Sequence, residues 1–364
     1  APRVTVGGIS GYQRTLVLLD WITLNNAYTG NVLWNMIMPE DVARIEVVKG
    51  PFSSLYGGYA MGGVVSIMTK MPEKREFTVM EGYGTARSRG EAPGDLKTTY
   101  LSYGDKIDNK LRLYVSYWNN STNGYFGNFD VQSSKPTAGI TGWSATTYNK
   151  GNPRFIIGRQ WQNTMWGDGV TTKVGYDFSA TSKLLLSYIR SRYTYGYDIP
   201  ETYLRNSAGN PVWSYGSVKE ASFISSGGGS TTQNLYHMQY DLDVSSAKIK
   251  VNLGVMDVPT NYYVTPNSST ATVAGGPGLL YSAESGAYNA DMQITLPIFK
   301  QQILTFGGSF RNGWSKSTDM NLSLWRDTES SGTIANQAQG KDRTYALFVQ
   351  DEILLGDKVR WLLG

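Results

Sequence analysis

The sequence predicts an all-β chain, most of it a transmembrane β-barrel, preceded over residues 1–75 by a small mixed globular unit. Three observations carry the prediction. From about residue 77, segments of eight to twelve residues alternate apolar with polar side chains. The connections between them alternate short with long. The composition is rich in glycine (41), tyrosine (25) and tryptophan (10), with only 17% charged residues, which fits strands better than helices.

The first residues read as several short apolar runs, Val17–Leu19, Ile45–Val48 and Val64–Ile67, separated by polar, glycine-bearing loops. Runs of that length, apolar throughout, belong to strands buried on both sides. A joint follows at Met71-Pro72-Glu73-Lys74-Arg75. The alternating segments begin after it. Leu111, Leu113, Val115 and Tyr117 share one face, opposed by Arg112, Tyr114 and Ser116. Tyr236, Met238, Tyr240 and Leu242 oppose His237, Gln239, Asp241 and Asp243, and Ile249, Val251 and Leu253 oppose Lys248, Lys250 and Asn252. Tyr288, Met292 and Ile294 oppose Asn289, Asp291 and Gln293; Leu304, Phe306 and Phe310 oppose Thr305, Ser309 and Arg311. Period two with one wholly polar face describes a strand between oil and water. Leu184–Tyr193 fits either register.

Short connections lie at 105–109, 177–182, 243–247, 296–301 and 354–358, and long ones at about 119–168, 194–234, 257–286 and 315–341. Tight turns on one side and long loops on the other are the asymmetry of an outer-membrane barrel. Aromatics near strand ends, among them Tyr103, Tyr117, Trp118, Tyr193, Tyr236 and Trp314, suit interfacial girdles. A soluble sandwich or propeller would alternate too, but with its apolar face inward. No apolar run approaches the ~20 residues of a membrane helix. The net charge of +4 is spread without basic blocks, which argues against a nucleic-acid partner. The absence of cysteine excludes disulfides and thiolate chemistry.

The stretch GPFSSLYGGYAMGG, 50–63, lacks the lysine and hydroxyl of a phosphate loop, because Val64-Val65-Ser66 follow its last glycines. Instead MPEDVARIEVVKGPFSSLYGGYAMGGVVSIMTK, 38–70, resembles the plug of TonB-dependent outer-membrane receptors. It has an Arg-Ile-Glu strand, a Gly-Pro turn, a Tyr-Gly turn and a Gly-Gly-hydrophobic return strand, in that order. LVLLDWITLNN, 16–26, is similar to the family's Leu-Asp-Gly segment, with Trp21 where glycine is usual. The resemblance implies a small α+β plug in the lumen of a barrel of about 22 antiparallel strands. It implies import of a scarce substrate, most readily a ferric siderophore and next a cobalamin, driven through a TonB-type energy-coupling protein in the Gram-negative outer membrane. A passive porin and a secreted β-rich binding protein are the rival classes.

The resemblance also places ligand contacts on the plug's apical segments 10–14 and 26–31: Gln13 and Tyr28 first, then Arg14 and Trp34, with Tyr12 and Asn31 beside them. Their chemistry, hydrogen bonding, aromatic packing and cationic pairing, suits an anionic chelate. Arg44 and Glu46 match positions that join plug to barrel wall in ion pairs. Trp143, Trp161, Trp166, Trp213 and Trp325, with Arg154, Arg159 and Arg205, lie in long connections and suit closing over a ligand, interfacial anchoring or plain loop packing. His237 alone makes no metal site. Met36 and Met38 beside Trp34 read as packing before they read as thioether ligands. A single histidine and no nucleophile–base constellation leave no enzyme to expect, and no cofactor. About ten strands plus the start of another at Val359–Leu363 fall short of such a barrel, so 76–364 read as its N-terminal half. The opening APRVTVGGIS, with no signal-peptide pattern, reads as a plug lacking its first part and the coupling segment.

Overall fold

A computed structural model describes residues 4–9, 11–50, 58–85, 96–124, 128–160, 163–224, 226–299, 301–355 and 359–363. The Gly-Pro and Tyr-Gly turns at 50–51 and 56–57 fall largely outside the described residues, as does Trp161.

The globular unit is built on a four-stranded mixed sheet. Strands β1 (Thr15–Leu19) and β2 (Ile22–Thr23) form a hairpin, and β3 (Val42–Lys49) pairs antiparallel with β4 (Gly63–Thr69). β1 and β4 run parallel, giving the order β2-β1-β4-β3. Among the described residues its helical content is two short 3-10 turns, Trp34–Met36 and Pro39–Asp41. The β1–β2 turn puts Asp20 and Trp21 both at positive φ (46° and 74°), as a two-residue hairpin of the right twist demands. Tryptophan therefore adopts the glycine conformation that the sequence put in question. The left-handed conformation costs such a residue roughly 1 kcal/mol, and the Lys250 ammonium over the indole, 4.7 Å from its centroid, offsets part of that.

The second body is one antiparallel sheet of eleven strands, joined in chain order. They are β5 (Glu76–Gly84), β6 (Leu96–Ile107), β7 (Leu111–Thr122), β11 (Asn163–Ser179), β12 (Ser182–Tyr197), β14 (Gly229–Val244), β15 (Ala247–Pro266), β16 (Gly278–Phe299), β17 (Gln302–Leu322), β18 (Ser331–Leu355) and β19 (Val359–Leu363). Four further strands, β8 (Phe129–Gln132), β9 (Ser144–Thr147), β10 (Pro153–Arg159) and β13 (Glu201–Thr202), lie in the two longest connections. The eleven are the ten strands and the start of another that the alternation predicts. The four short strands escape it because they sit in polar loop sequence.

Polarity in the large sheet is the reverse of a soluble fold. Val115, Tyr117, Leu253, Tyr288 and Met292 are exposed on one face, and Leu347 is 89% exposed. Ser102, Ser116, Thr171, Gln233, His237 and Asn252 are buried on the other. That is the arrangement of an outer-membrane barrel wall around an occupied lumen. The ambiguous strand resolves with Leu184, Leu186 and Tyr188 outward, since Tyr188 stacks on the outward Tyr236 at 5.0 Å while Ser187 and Ile189 are buried. Strands β15 to β18 run 20 to 25 residues, beyond the roughly 10 that cross a bilayer. Their polar upper halves read as loop in the sequence but remain paired strand.

The plug packs against the inner face. Val17, Leu19, Ile22, Val65 and Ile67 share a buried cluster with wall residues Ile189, Leu235, Met256 and Val258. Gly254 of β15 makes room for Ile22: a Cβ there would lie 2.3 Å from its Cδ1. Two buried carboxylates then fix the plug. Asp41 accepts hydrogen bonds from Tyr100 (2.8 Å), Tyr114 (2.7 Å), Ser116 (2.8 Å) and Thr171 (2.9 Å), hydroxyls from three adjacent wall strands. Asp20 pairs with Lys173 of β11 at 3.0 Å and accepts from the Thr69 amide at 2.8 Å. Burial pushes the Asp20 carboxyl up, but Lys173 and the Thr69 hydrogen bonds outweigh it and hold the group below its ordinary 3.8.

The joint is ionically tied as well. Glu73 meets Lys106 at 2.6 Å and Arg112 at 3.4 Å, Arg112 meets Asp177 at 2.8 Å, and Arg75 meets Asp105 at 2.8 Å, all near the short-turn ends of their strands. Arg44 and Glu46 lie together on β3. They bond each other at 3.0 Å, with side chains 63% and 51% exposed. β3 is the edge of the plug sheet, and the buried plug–wall ion pair among the described residues is Asp20–Lys173.

Asp41→Ala strands four buried hydroxyls and should lower the stability of plug docking by about 3 kcal/mol, read as earlier proteolysis of residues 38–70 in a urea series. Asp41→Asn should lose less. Because the Asp20 carboxyl lies lower when folded than unfolded, its contribution is full above pH 4 or so and fades as the pH falls through the folded value. Lys173→Met should cost about 3–5 kcal/mol at pH 7 by leaving a buried charge alone. The double variant Asp20→Asn/Lys173→Met should recover most of it, in urea denaturation followed by tryptophan fluorescence.

Candidate functional site

The plug's apical turns meet on the side of the long connections. Buried Asn25 organises them: its Oδ1 accepts from Val17 N at 2.9 Å, and its Nδ2 donates to the carbonyls of Tyr12, Thr15 and Gly30 at 3.0–3.3 Å. Asn26 accepts the amides of Tyr28 (3.1 Å) and Thr29 (2.8 Å), an Asx turn that sets the 26–31 loop. Gly30, at φ +73°, lies so close to Gln13 that a Cβ would sit 2.7 Å from its Cγ. The two segments that the sequence pointed to are therefore in contact, with Tyr59 beside them.

Gln13 and Arg14 are exposed, and the Arg14 Nη1 donates to the Met61 sulfur at 2.9 Å. Tyr28 is 46% exposed and lies within electrostatic reach of Tyr263, near the long-connection end of β15. Tyr12 and Asn31 are half-buried and line a small crevice with Trp34. Trp34 itself packs against the plug–wall core through its 3-10 turn, which sets it apart from the exposed trio. Wall groups reach the same turns: Arg311 donates to the Asn25 carbonyl (3.3 Å) and Gln233 to that of Leu33 (3.3 Å). Met36 and Met38 are buried among apolar neighbours, so packing is their role. His237 is buried in the wall, with Nε2 3.3 Å from Asn252 Oδ1.

On the same side the long connections form a layer, the roof, with cores of its own. β8, β9 and β10 come from 123–162 and β13 from 198–228, and they make one sheet of order β13-β10-β8 with β9 also on β10. Ile157, Leu204 and Phe223 are fully buried between these connections. Trp143 packs edge-on to Phe155 (5.4 Å) and Trp213 edge-on to Phe223 (5.2 Å). Glu220 accepts the Val273 amide at 2.7 Å, joining this unit to 267–277. Buried Trp325 donates to the carbonyls of Thr272 (3.0 Å) and Gly275 (3.1 Å), joining 267–277 to 323–330. Arg154, Arg159 and Arg205 are likewise engaged, over Tyr148, with Glu201 at 2.7 Å, and on loop carbonyls. Trp143, Trp213 and Trp325 thus make the contacts of loop packing.

Asp130 is buried in this roof, with Gln160 donating to one carboxylate oxygen at 3.1 Å and the other left without a partner. Burial pushes it up to about 6, against a smaller opposing effect of Gln160. A carboxyl raised on folding stabilises the folded form at low pH and loses that advantage as the pH rises through about 6. The roof should be more resistant to loop proteolysis at pH 5 than at pH 7.5. Asp130→Asn should remove the difference and stabilise the roof at pH 7.5 by on the order of 1–2 kcal/mol.

Residues 1–64 match the family model described as the TonB-dependent receptor plug domain. The vitamin B12 transporter BtuB of Vibrio cholerae is 36% identical over 120 residues, 33% of this chain and 18% of that protein. The ferric enterobactin receptor PirA of Pseudomonas aeruginosa is 37% identical over 75 residues, 18% of this chain and 10% of that protein. In fold, the siderophore receptor PirA of Acinetobacter baumannii superposes with a TM-score of 0.62 at 16% identity, over 94% of this chain and 47% of that one. The ferric citrate transporter FecA gives 0.64 at 12% identity, over 95% and 46%. The chain thus spans about half the length of these solved receptors. The relatives are transporters and receptors, not enzymes. Residues 1–64 thus resemble the plug of TonB-dependent receptors, and the fold of most of the chain is that of such a plug with barrel strands around it.

Proposed function

We propose that the receptor containing this chain sits in the outer membrane and imports a ferric siderophore, drawing energy through a TonB-type coupling protein. One observation carries the reading. Gln13, Arg14 and Tyr28 are exposed on the plug's two apical turns, which touch at Gln13 and Gly30, on the side of the long connections. An amide, a guanidinium and a phenol offer donors and an aromatic face to an anionic, partly aromatic chelate. Trp34, Tyr12 and Asn31 support the site from below, with Trp34 shaping it through packing. Arg44 and Glu46 stand on a plug edge where wall strands beyond those of this chain would take them up as ion-pair partners. Transfer of the ligand would require the plug to shift against the Asp20 and Asp41 anchors, which is where work from the inner membrane would be spent.

The match to a vitamin B12 transporter over 120 residues favours a cobalamin as the second reading. Binding separates the two. Purified receptor in detergent should quench its tryptophan fluorescence with ferric siderophores and not with cyanocobalamin. Tyr28→Ala and Gln13→Ala should each weaken that binding about 10-fold, roughly 1.4 kcal/mol. Response to cyanocobalamin alone would overturn the siderophore and leave the importer standing. Uptake of labelled iron that persists after an uncoupler collapses the proton gradient would instead make the protein a passive pore.

A further inference from the structure

Of the chain's eleven methionines, two are exposed, Met61 and Met292. Met292 lies on the hydrocarbon-facing side of β16, so Met61 is the one that meets water. It stands at the plug apex, 48% exposed, and makes a contact that import does not require. Its sulfur accepts a hydrogen bond from Arg14 Nη1 at 2.9 Å.

The backbone sets this contact. β1 and β4 run parallel from Thr15 opposite Gly63, and just ahead of that register the Gly62 amide donates to the Arg14 carbonyl at 2.7 Å. Gly62 permits the approach, since a Cβ there would lie 2.9 Å from the Val6 carbonyl oxygen and 3.2 Å from that of Arg14. On the other side Gly11, at φ +130°, leaves room for the Arg14 side chain, whose Cγ is 3.1 Å from where a Cβ would stand. The guanidinium is thereby carried to Met61. A thioether is a weak acceptor, so the bond steers Arg14 without occupying its charge. Among the described residues no carboxylate pairs with Arg14. Arg311, the wall arginine that reaches the same turns, is by contrast paired with Asp342 at 3.1 Å.

We infer that Met61 is a site of reversible oxidation that controls Arg14. The oxidant is hydrogen peroxide. The sulfur lone pair attacks one peroxide oxygen, and an S–O bond forms as the O–O bond breaks. The thioether loses two electrons, and the departing hydroxide takes the proton of the transferred hydroxyl to leave as water. The sulfoxide oxygen is a much stronger acceptor than the sulfur it replaces. Both side chains are exposed, so the bond can re-form around the added atom. Arg14 then donates to that oxygen in a charge-assisted hydrogen bond and is held away from an anionic chelate. Oxidation lowers ligand capture, and reduction of the sulfoxide restores it. The effect on capture rests on Arg14 being a ligand contact, as proposed above; the hold on Arg14 does not.

The test treats the full receptor in detergent with hydrogen peroxide and follows it by peptide mass spectrometry. Met61 should gain its oxygen at least about fivefold faster than any other methionine. Modification of Arg14 by phenylglyoxal, which reports a free guanidinium, should then slow about fivefold. It should recover after treatment with methionine sulfoxide reductases specific for the two epimers. In Met61→Leu the Arg14 rate should be the same before and after peroxide. Oxidation of Met61 no faster than that of Met292 or the buried methionines would overturn the inference, as would an Arg14 rate that peroxide leaves unchanged. Tryptophan quenching by the trianionic iron(III) complex of a tris-catechol tests the reading beneath, and should weaken about fivefold on oxidation. An unchanged quench with Arg14 shielded, or no quench at all, would overturn Arg14 as a contact for that chelate and leave the hold on Arg14 standing.

Discussion

Hydrocarbon gives the backbone nothing to bond with, so each strand in it must bond its neighbour. That constraint organises the rest of the molecule. It makes the wall one continuous ladder from β5 to β19, every strand antiparallel to the next. It turns the apolar side chains outward and leaves the inner face to serine, threonine, asparagine and histidine. A polar inner face needs polar satisfaction, and the plug supplies it. Asp41 gathers hydroxyls from three strands, Asp20 answers Lys173, and the main-chain carbonyls of Asn25 and Leu33 answer Arg311 and Gln233. Plug and wall are less two domains in contact than one polar network seen from two sides.

The network is uneven, which bears on how the plug could shift. Its apolar half, centred on Ile22 in the space left by Gly254, is non-directional and tolerates sliding. Its polar half is directional. Asp41 accepts four short hydrogen bonds whose donors all belong to the wall, so moving the plug forfeits them together. A hold of this kind resists small displacements and yields abruptly, unlike a graded spring.

Much of this was legible in the residues. Period-two alternation recovered the wall strands and their inward faces, because oil and water impose it at every pair. The plug motifs placed the apical turns, and Gln13 lies against Gly30 of the second one. Three things were not legible. The upper halves of β15 to β18 carry only scattered apolar residues such as Val264 and Leu322, buried toward the loops, so their pairing leaves no sustained periodic trace. The loop sheet of β8, β9, β10 and β13 is made of strands of two to seven residues. Asp41, in an ordinary Pro-Glu-Asp, shows its role only when the wall folds around it. A buried carboxylate with hydroxyl partners 59 to 130 residues away has no local signature.

The stitched roof has a consequence for variation. Loops exposed to antibodies and phages usually diverge independently, since an insertion in one leaves the others untouched. Here Phe223 is shared between connections, and Trp325 clasps the neighbouring one through its indole. A change at either propagates into a second epitope, so drift is channelled into the tips and away from the buried clasps. Such a surface can alter its face to the immune system only where it does not alter its own scaffold.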